Sequence, residues 1–262
     1  MEYIIIILVC FFSSVIGSIC GIGGGVIIKP VLDATGVMPV QAISFLSGCT
    51  VLSMSTVSLY KNLKAKRSFT FDKTFAVVLA VGAVLGGLWG KELYQSIIYN
   101  LTDKDQVSAI QAFVLMLVTL ATLIYTVYKQ KISTKRINNK PVIFVIGLLL
   151  GLMSSFLGIG GGPMNLVVLF FFFSMETKQA ALYSIFVILS SQLASLISSI
   201  VKGNVPEFEI GTLLLMVSCG VLGGLVGSKI NKKIDNRTVD RLFMGLMAVI
   251  ICINIYNVFR YL

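Results

Sequence analysis

Two glycine runs, Gly21-Ile22-Gly23-Gly24-Gly25 and Gly158-Ile159-Gly160-Gly161-Gly162, interrupt otherwise apolar sequence. A glycine inside a helix costs about 1 kcal/mol relative to alanine, so each run marks a helix end. The helices that restart near Val26 and Pro163 present unpaired backbone N–H groups and the positive end of a helix dipole. Pro163 suits the first helical turn. Two such termini facing each other bind an anion through backbone groups, without a buried lysine or arginine. Ser18 and Ser155 each stand three residues before a run, and Asn165 falls just after the second. Ser53, Ser191 and Gln192 sit in the middle of neighbouring apolar stretches. The candidate substrate-binding set is therefore Gly21, Gly23, Gly24, Gly25, Gly158, Gly160, Gly161, Gly162, Asn165, Ser18, Ser155, Ser53, Ser191 and Gln192. Structural roles compete with each. Glycines let helices pack closely, and serines in membrane helices bond the carbonyl one turn back. Lys29 precedes Pro30 in a short apolar stretch. Its expected role is to snorkel to the interface, with anion guidance as the alternative.

Other chemistries find little support. Neither run is followed by the Gly-Lys-Ser/Thr of a P-loop or completes a dinucleotide fingerprint. The chain has no histidine, so zinc and haem lose their commonest ligand, and no metal or other cofactor is expected. Cys10, Cys20, Cys49, Cys219 and Cys252 are scattered through apolar segments without CxxC spacing. Serines abound, but no histidine or buried acid stands ready as their base, so no catalytic residue is assigned and the chain is not expected to be an enzyme. Asp and Glu avoid the middle of every long segment, with Glu92, Glu176, Glu207 and Glu209 at ends and Asp33 beside a turn. A proton-coupled transporter ordinarily carries an intramembrane carboxylate or histidine.

The elements that must position these groups lie in lipid. Of 262 residues, 56% are hydrophobic and 12% charged, against about 25% charged in a soluble domain. The start Met1-Glu2-Tyr3 lacks a basic signal n-region, so the first segment is expected to be retained. The net charge of +10 comes from lysines and arginines clustered between apolar stretches, which fits membrane orientation rather than nucleic-acid binding. Six stretches approach the roughly 20 residues of a spanning helix: 38–60, 74–95, 109–128, 177–201, 210–228 and 242–259. Four shorter ones, 4–20, 26–37, 142–157 and 163–174, form two pairs joined by the glycine runs.

The runs lie 137 residues apart, and at that offset Gly86-Gly87-Leu88-Trp89-Gly90 recurs as Gly223-Gly224-Leu225-Val226-Gly227. Gln41-Ala42 recurs as Gln179-Ala180 and Ser53 as Ser191, each with a one-residue slip. Such self-similarity indicates two homologous halves, a membrane repeat at 1–130 and another at 141–262, joined by a cytoplasmic linker at 131–140. Re-entry or an odd number of crossings per half places 16 of the 21 lysines and arginines on one side and 5 on the other. Eight plain crossings divide them 12 to 9. The positive-inside rule favours the first arrangement. The fold class expected is an all-α polytopic membrane protein of two inverted repeats, each a short broken or re-entrant helix pair plus three long transmembrane helices. Its binding site then lies near the midplane between the repeats.

Half-molecules of this size, each opening with a short apolar helix and a Gly-Ile-Gly-Gly-Gly run, resemble the TauE/SafE sulfite exporter family. Gly21 through Pro30 is similar to the family pattern, including the proline, whereas the second half has Pro163-Met164-Asn165 where the first has Val26-Ile27-Ile28. The resemblance implies export of sulfite or a C2 organosulfonate such as sulfoacetate across a bacterial plasma membrane. The expected partners are a small anion and the lipid bilayer, with a homodimer left open and no nucleic acid. Alternating access is the expected mechanism. An anion channel and a non-transporting assembly subunit are the alternatives.

Overall fold

The computed structural model describes residues 2–64, 71–100, 104–157, 159 and 162–261. These form ten α-helices and no strand: α1 (Glu2–Cys20), α2 (Gly25–Thr35), α3 (Val40–Leu63), α4 (Lys73–Asn100), α5 (Lys104–Tyr128), α6 (Lys140–Leu157), α7 (Pro163–Phe173), α8 (Thr177–Val201), α9 (Ile210–Lys233) and α10 (Asn236–Tyr261). Eight contain an apolar span long enough to cross a bilayer, and only the 11-residue α2 and α7 do not. The chain is a multi-pass membrane protein. The short-pair expectation needs one adjustment. Each pair combines a full-length helix, 19 residues in α1 and 18 in α6, with a half-length one. Both full-length helices begin among polar residues, Glu2-Tyr3 and Lys140-Pro141, that apolarity alone excludes.

The first joint shows how the chain turns back inside the membrane. Gly21 and Gly23 adopt φ of 76° and 74°, a left-handed backbone that glycine enters without a Cβ penalty. A Cβ on Gly17 would lie 2.6 Å from the Gly24 nitrogen, and one on Gly24 would lie 3.3 Å from the Ser13 backbone. α2 therefore returns along α1. Gly24 supplies the carbonyl that accepts from the N–H groups of both Ile27 and Ile28, each at 3.0 Å.

Helix pairings repeat when the halves are exchanged. α1 packs on α9 as α6 packs on α4; α3 on α9 as α8 on α4; α2 on α3 as α7 on α8; and α2 on α10 as α7 on α5. The two largest of the other pairings, α3 with α8 and α5 with α10, join equivalent helices. Glycines allow the closest of these approaches. Gly86 abuts the Leu148 carbonyl and Gly90 the Leu152 carbonyl, while Gly223 abuts Phe11 and Gly227 abuts Val15. Both pairs run parallel, and the contacts coincide residue for residue at the 137 offset. Gly87 touches Ser191 where Gly224 touches Met54. Met54 is therefore the match of Ser191, and Ser55 that of Gln192, which corrects the slipped pairing of Ser53 with Ser191. Val51, Met54 and Ile188 form a buried cluster where α3 meets α8.

The ends of the bundle differ in charge. At one end, Lys129 pairs with Asp240 at 2.6 Å, and Asp240 also accepts from Thr177 at 2.9 Å. There the linker lies against α7, the Lys135 and Ile137 N–H groups donating to the Phe171 and Phe172 carbonyls. Hydrogen bonds to Asp235 from the side chain and backbone of Thr238, in the first turn of α10, hold its carboxyl below the usual range. The basic segments 129–140 and 229–241 share this end with the start of α4, where the Asp72 N–H donates to Tyr183 at 2.7 Å. At the other end Tyr3 donates to Glu209, Lys202 pairs with Glu92, and Arg260 donates to the Asp33 carbonyl.

Candidate functional site

A cavity of about 320 Å³, with polar groups set among apolar ones, opens among α3, α4, α5, α6, α8 and the α8–α9 connection, on the less basic side. Its lining includes Lys91, Gln111, Ser155, Gln192, Ser195 and Ser199. Lys91 lies where the glycine face of α4 leaves α6 and meets α8. Its ammonium donates to the Ser195 carbonyl at 3.0 Å and to the Ser199 hydroxyl. An ammonium has three N–H groups, so one remains for a ligand. Among the described residues no carboxylate pairs with Lys91, and the adjacent Glu92 is held by Lys202. Ser155 Oγ and the Ser191 Cβ pack around Gly87, and Gln192 Oε1 lies 3.1 Å from where a Gly48 Cβ would sit. A half-buried cation, four amides and four hydroxyls thus face one space, with no Asp or Glu among the described residues of the lining. Charge-assisted donors of this kind hold an oxyanion.

A second lysine stands behind this space. Lys29 is 6% exposed and donates to Gln111 Oε1 and to the Leu157 carbonyl, both at 2.8 Å. Gln111 in turn donates to the Phe156 carbonyl at 2.6 Å. The last carbonyls of α6, stranded where the second glycine run begins, are capped by groups from α2 and α5. A helix end within a membrane needs such partners, and a cation suits the negative end of its dipole. Lys29 therefore does not snorkel, and the expectation of a site free of buried lysine is corrected. The pull of the stranded carbonyls, with α10 closing over α2 through Asn257 and Pro30 at 3.0 Å, keeps the ammonium inside.

The serines and the glutamine singled out from sequence divide three ways. Ser155 and Gln192 line the cavity. Ser18 lies in a separate buried cluster, bonded to Ser58 at 2.7 Å, Ser228 at 3.1 Å and the Gly224 carbonyl at 3.2 Å. Ser53 and Ser191 donate to carbonyls on their own helices, Thr50 at 2.8 Å and Ile188 at 3.2 Å. The first glycine run meets the second: a Gly25 Cβ would sit 2.5 Å from the Ile159 carbonyl and 3.1 Å from Ser47 Oγ, while Gly21 abuts Ala181 of α8. Gly162 is extended, with φ −152°, and precedes Pro163. Asn165 is 2% exposed and its Nδ2 has no hydrogen-bond partner among the described residues. Gly158, Gly160 and Gly161 lie outside the described residues. Among the described residues no cluster of metal-ligating side chains occurs.

Lys91 and Gln111 were not picked out from sequence as ligands. A signal for Lys91 exists: it directly follows Gly86–Gly90, at the position where the second repeat has Ser228. Nothing comparable marks Gln111.

The profile of the family described as sulfite exporter TauE/SafE matches residues 6–254. The chain is similar to the probable membrane transporter protein YunE of Bacillus subtilis (strain 168), 24% identical with 98% of each chain covered. It is also similar to the probable membrane transporter protein MJ0441 of Methanocaldococcus jannaschii, 24% identical over 94% of this chain and 92% of that one. YjnA of Bacillus subtilis, likewise described as a probable membrane transporter protein, is 20% identical over 97% and 98%. No solved structure matches.

Proposed function

The chain belongs to the TauE/SafE sulfite exporter family, and on that premise we propose that it carries a small sulfur oxyanion, sulfite or a C2 organosulfonate, by alternating access. Membrane transport is the family's role. The narrower reading is supported above all by the placement of Lys91, a cation facing a cavity in which no carboxylate among the described residues neutralises it. The volume is ample for a small anion, and the hydroxyls and amides supply further donors. Lys29, one hydrogen bond behind Gln111, adds positive potential at its back.

Parallel packing of α1 on α9 and of α4 on α6, with contacts matched at one offset, supports the inverted relation of repeats 1–130 and 141–262. By the positive-inside rule the end carrying 129–140 and 229–241 faces the cytoplasm, and the cavity then opens outward. Outward movement of a monovalent anion gains about 2.3 kcal/mol per 100 mV of inside-negative potential, which drives export without a proton.

Thermal unfolding of purified protein titrated with sulfite, thiosulfate, sulfoacetate, taurine and sulfate tests the substrate class. A saturable rise in Tm with a sulfur oxyanion is expected. Stabilisation by none of them, or only by the zwitterion taurine, contradicts the proposal.

A further inference from the structure

The 137-residue offset relates more than glycines. Applied to the Lys91 cavity, it carries Ser155 to Ser18, Lys91 to Ser228, Ser195 to Ser58, Ser199 to Asn62 and Gln192 to Ser55. These five are not scattered. Ser18, Ser58, Ser228 and Asn62 bond one another: Ser18 to Ser58 at 2.7 Å, Ser228 to Ser58 at 3.0 Å, Ser18 to Ser228 at 3.1 Å and Asn62 to Ser58 at 3.3 Å. All are 7% exposed or less. The neighbouring contacts correspond as well. Ser155 Oγ packs at Gly87 as Ser18 Oγ donates to the Gly224 carbonyl, and Leu196 meets Gly48 as Leu59 meets Ile185.

From this correspondence, and resting on the carrier reading above, we infer that Ser18, Ser58, Asn62 and Ser228 are the closed counterpart of the Lys91 cavity and line the substrate's path through the basic end in the opposite state. A carrier built from inverted repeats exchanges the conformations of its halves, so the residues open on one side in one state are matched by those open on the other side in the next. One side is open and hydrated around Lys91. The other has collapsed onto its own hydroxyls.

Two details favour a pathway over a fixed structural knot. Ser55, the match of cavity-lining Gln192, is fully buried, and its hydroxyl has no partner among the described residues. An unsatisfied buried hydroxyl is costly, and opening the cluster relieves it. The replacement of Lys91 by Ser228 is also functional in kind. Neutral hydroxyls close on each other without desolvating an ion, whereas the cavity side cannot collapse without burying an ammonium. An anion bound to Lys91 removes that obstacle. The same difference makes the Lys91 side the tighter-binding one, since the cluster of Ser18, Ser58, Asn62 and Ser228 sets hydroxyls and one amide where the cavity has an ammonium.

Ser58→Cys and Asn62→Cys, made separately in the full chain, test this with a membrane-impermeant maleimide applied from either side. Wild-type labelling supplies the background. Both variants should react from the basic end and not from the other. Prior modification of a Ser195→Cys partner from the cavity side with a bulky reagent should slow labelling at residue 58 by about tenfold, because one state is then held. Two variants guard against failure of either to fold, and counterflow of labelled sulfite and sulfoacetate is measured on the same preparations. Counterflow with neither cysteine reactive from the basic end overturns the inference and leaves the carrier reading standing. Labelling without counterflow upholds the pathway and removes the assigned substrates. Absence of both overturns the two together. Labelling at residue 58 that is indifferent to the block at 195 contradicts the coupling of the two sides.

Discussion

Lys91→Met keeps the length of the side chain and removes its charge. In the folded protein its ammonium has two partners, the Ser195 carbonyl and the Ser199 hydroxyl. The Ser195 carbonyl keeps a second donor, since Ser199 Oγ bonds it at 3.0 Å. Lys91 is only half-buried, so stability should change by less than about 1 kcal/mol, within the range for a net hydrogen bond. Ligand binding should suffer more. A hydrogen bond to a charged group contributes about 1.5–3 kcal/mol, and each 1.4 kcal/mol is tenfold, so affinity for the anion should fall by about 10- to 150-fold. Calorimetric titration with sulfite and sulfoacetate reads this directly, with unfolding temperature recorded in parallel. Lys131→Met is the control: it removes an exposed charge over the Tyr128 ring at the opposite, basic end of the bundle and should leave affinity within about twofold, as for a surface charge. An undiminished affinity in well-folded Lys91→Met protein refutes the assignment of the cavity.

Gly90→Ala and Gly227→Ala occupy equivalent interfaces, where a Cβ would collide with the Leu152 and Val15 carbonyls; each should lose about 1–3 kcal/mol by overpacking, seen as similar falls in Tm, and a fall in only one would contradict the matched packing. Lys29→Met strands the Leu157 carbonyl and Gln111 Oε1 and should destabilise by about 1–3 kcal/mol per group left unpaired, in contrast to Lys91→Met. Export should follow membrane potential and not a pH gradient alone, since no Asp or Glu among the described residues lines the cavity. With the potential clamped at zero in proteoliposomes, a pH step that accumulated a strong-acid sulfonate would show proton coupling and direct attention to Asp33, buried beside Lys29.

Much of the architecture was legible because glycine is expensive in a helix and lipid forbids an unsatisfied helix end, so the two runs announced the breaks between α1 and α2 and between α6 and α7. Helix ends were less visible: Glu2-Tyr3 and Lys140-Pro141 belong to α1 and α6 although their polarity places them outside an apolar count. Ser155 and Gln192 were found from their positions near the breaks and in mid-segment, and both line the cavity. Lys91 escaped notice since a lysine at the end of an apolar stretch reads as an interfacial anchor. Its value depends on Ser195 and Ser199, more than a hundred residues away. Lys29 misled for the opposite reason. Proline after it suggested a helix near the surface, and only the stranded carbonyls of α6 explain why the charge stays inside. The slip that paired Ser53 with Ser191 arose from matching residue types, where the glycine contacts pair Met54 with Ser191.

Counterflow tests the central claim most directly. Proteoliposomes containing the protein are loaded with unlabelled sulfite or sulfoacetate and given a trace of the labelled anion outside, with the potential clamped. A carrier that reorients with its ligand bound predicts transient uphill accumulation of label, abolished by Lys91→Met and saturating with internal substrate. Labelled flux that only equilibrates and never overshoots would contradict alternating access and favour a channel, and no protein-dependent flux of either anion would contradict the transport assignment for these substrates.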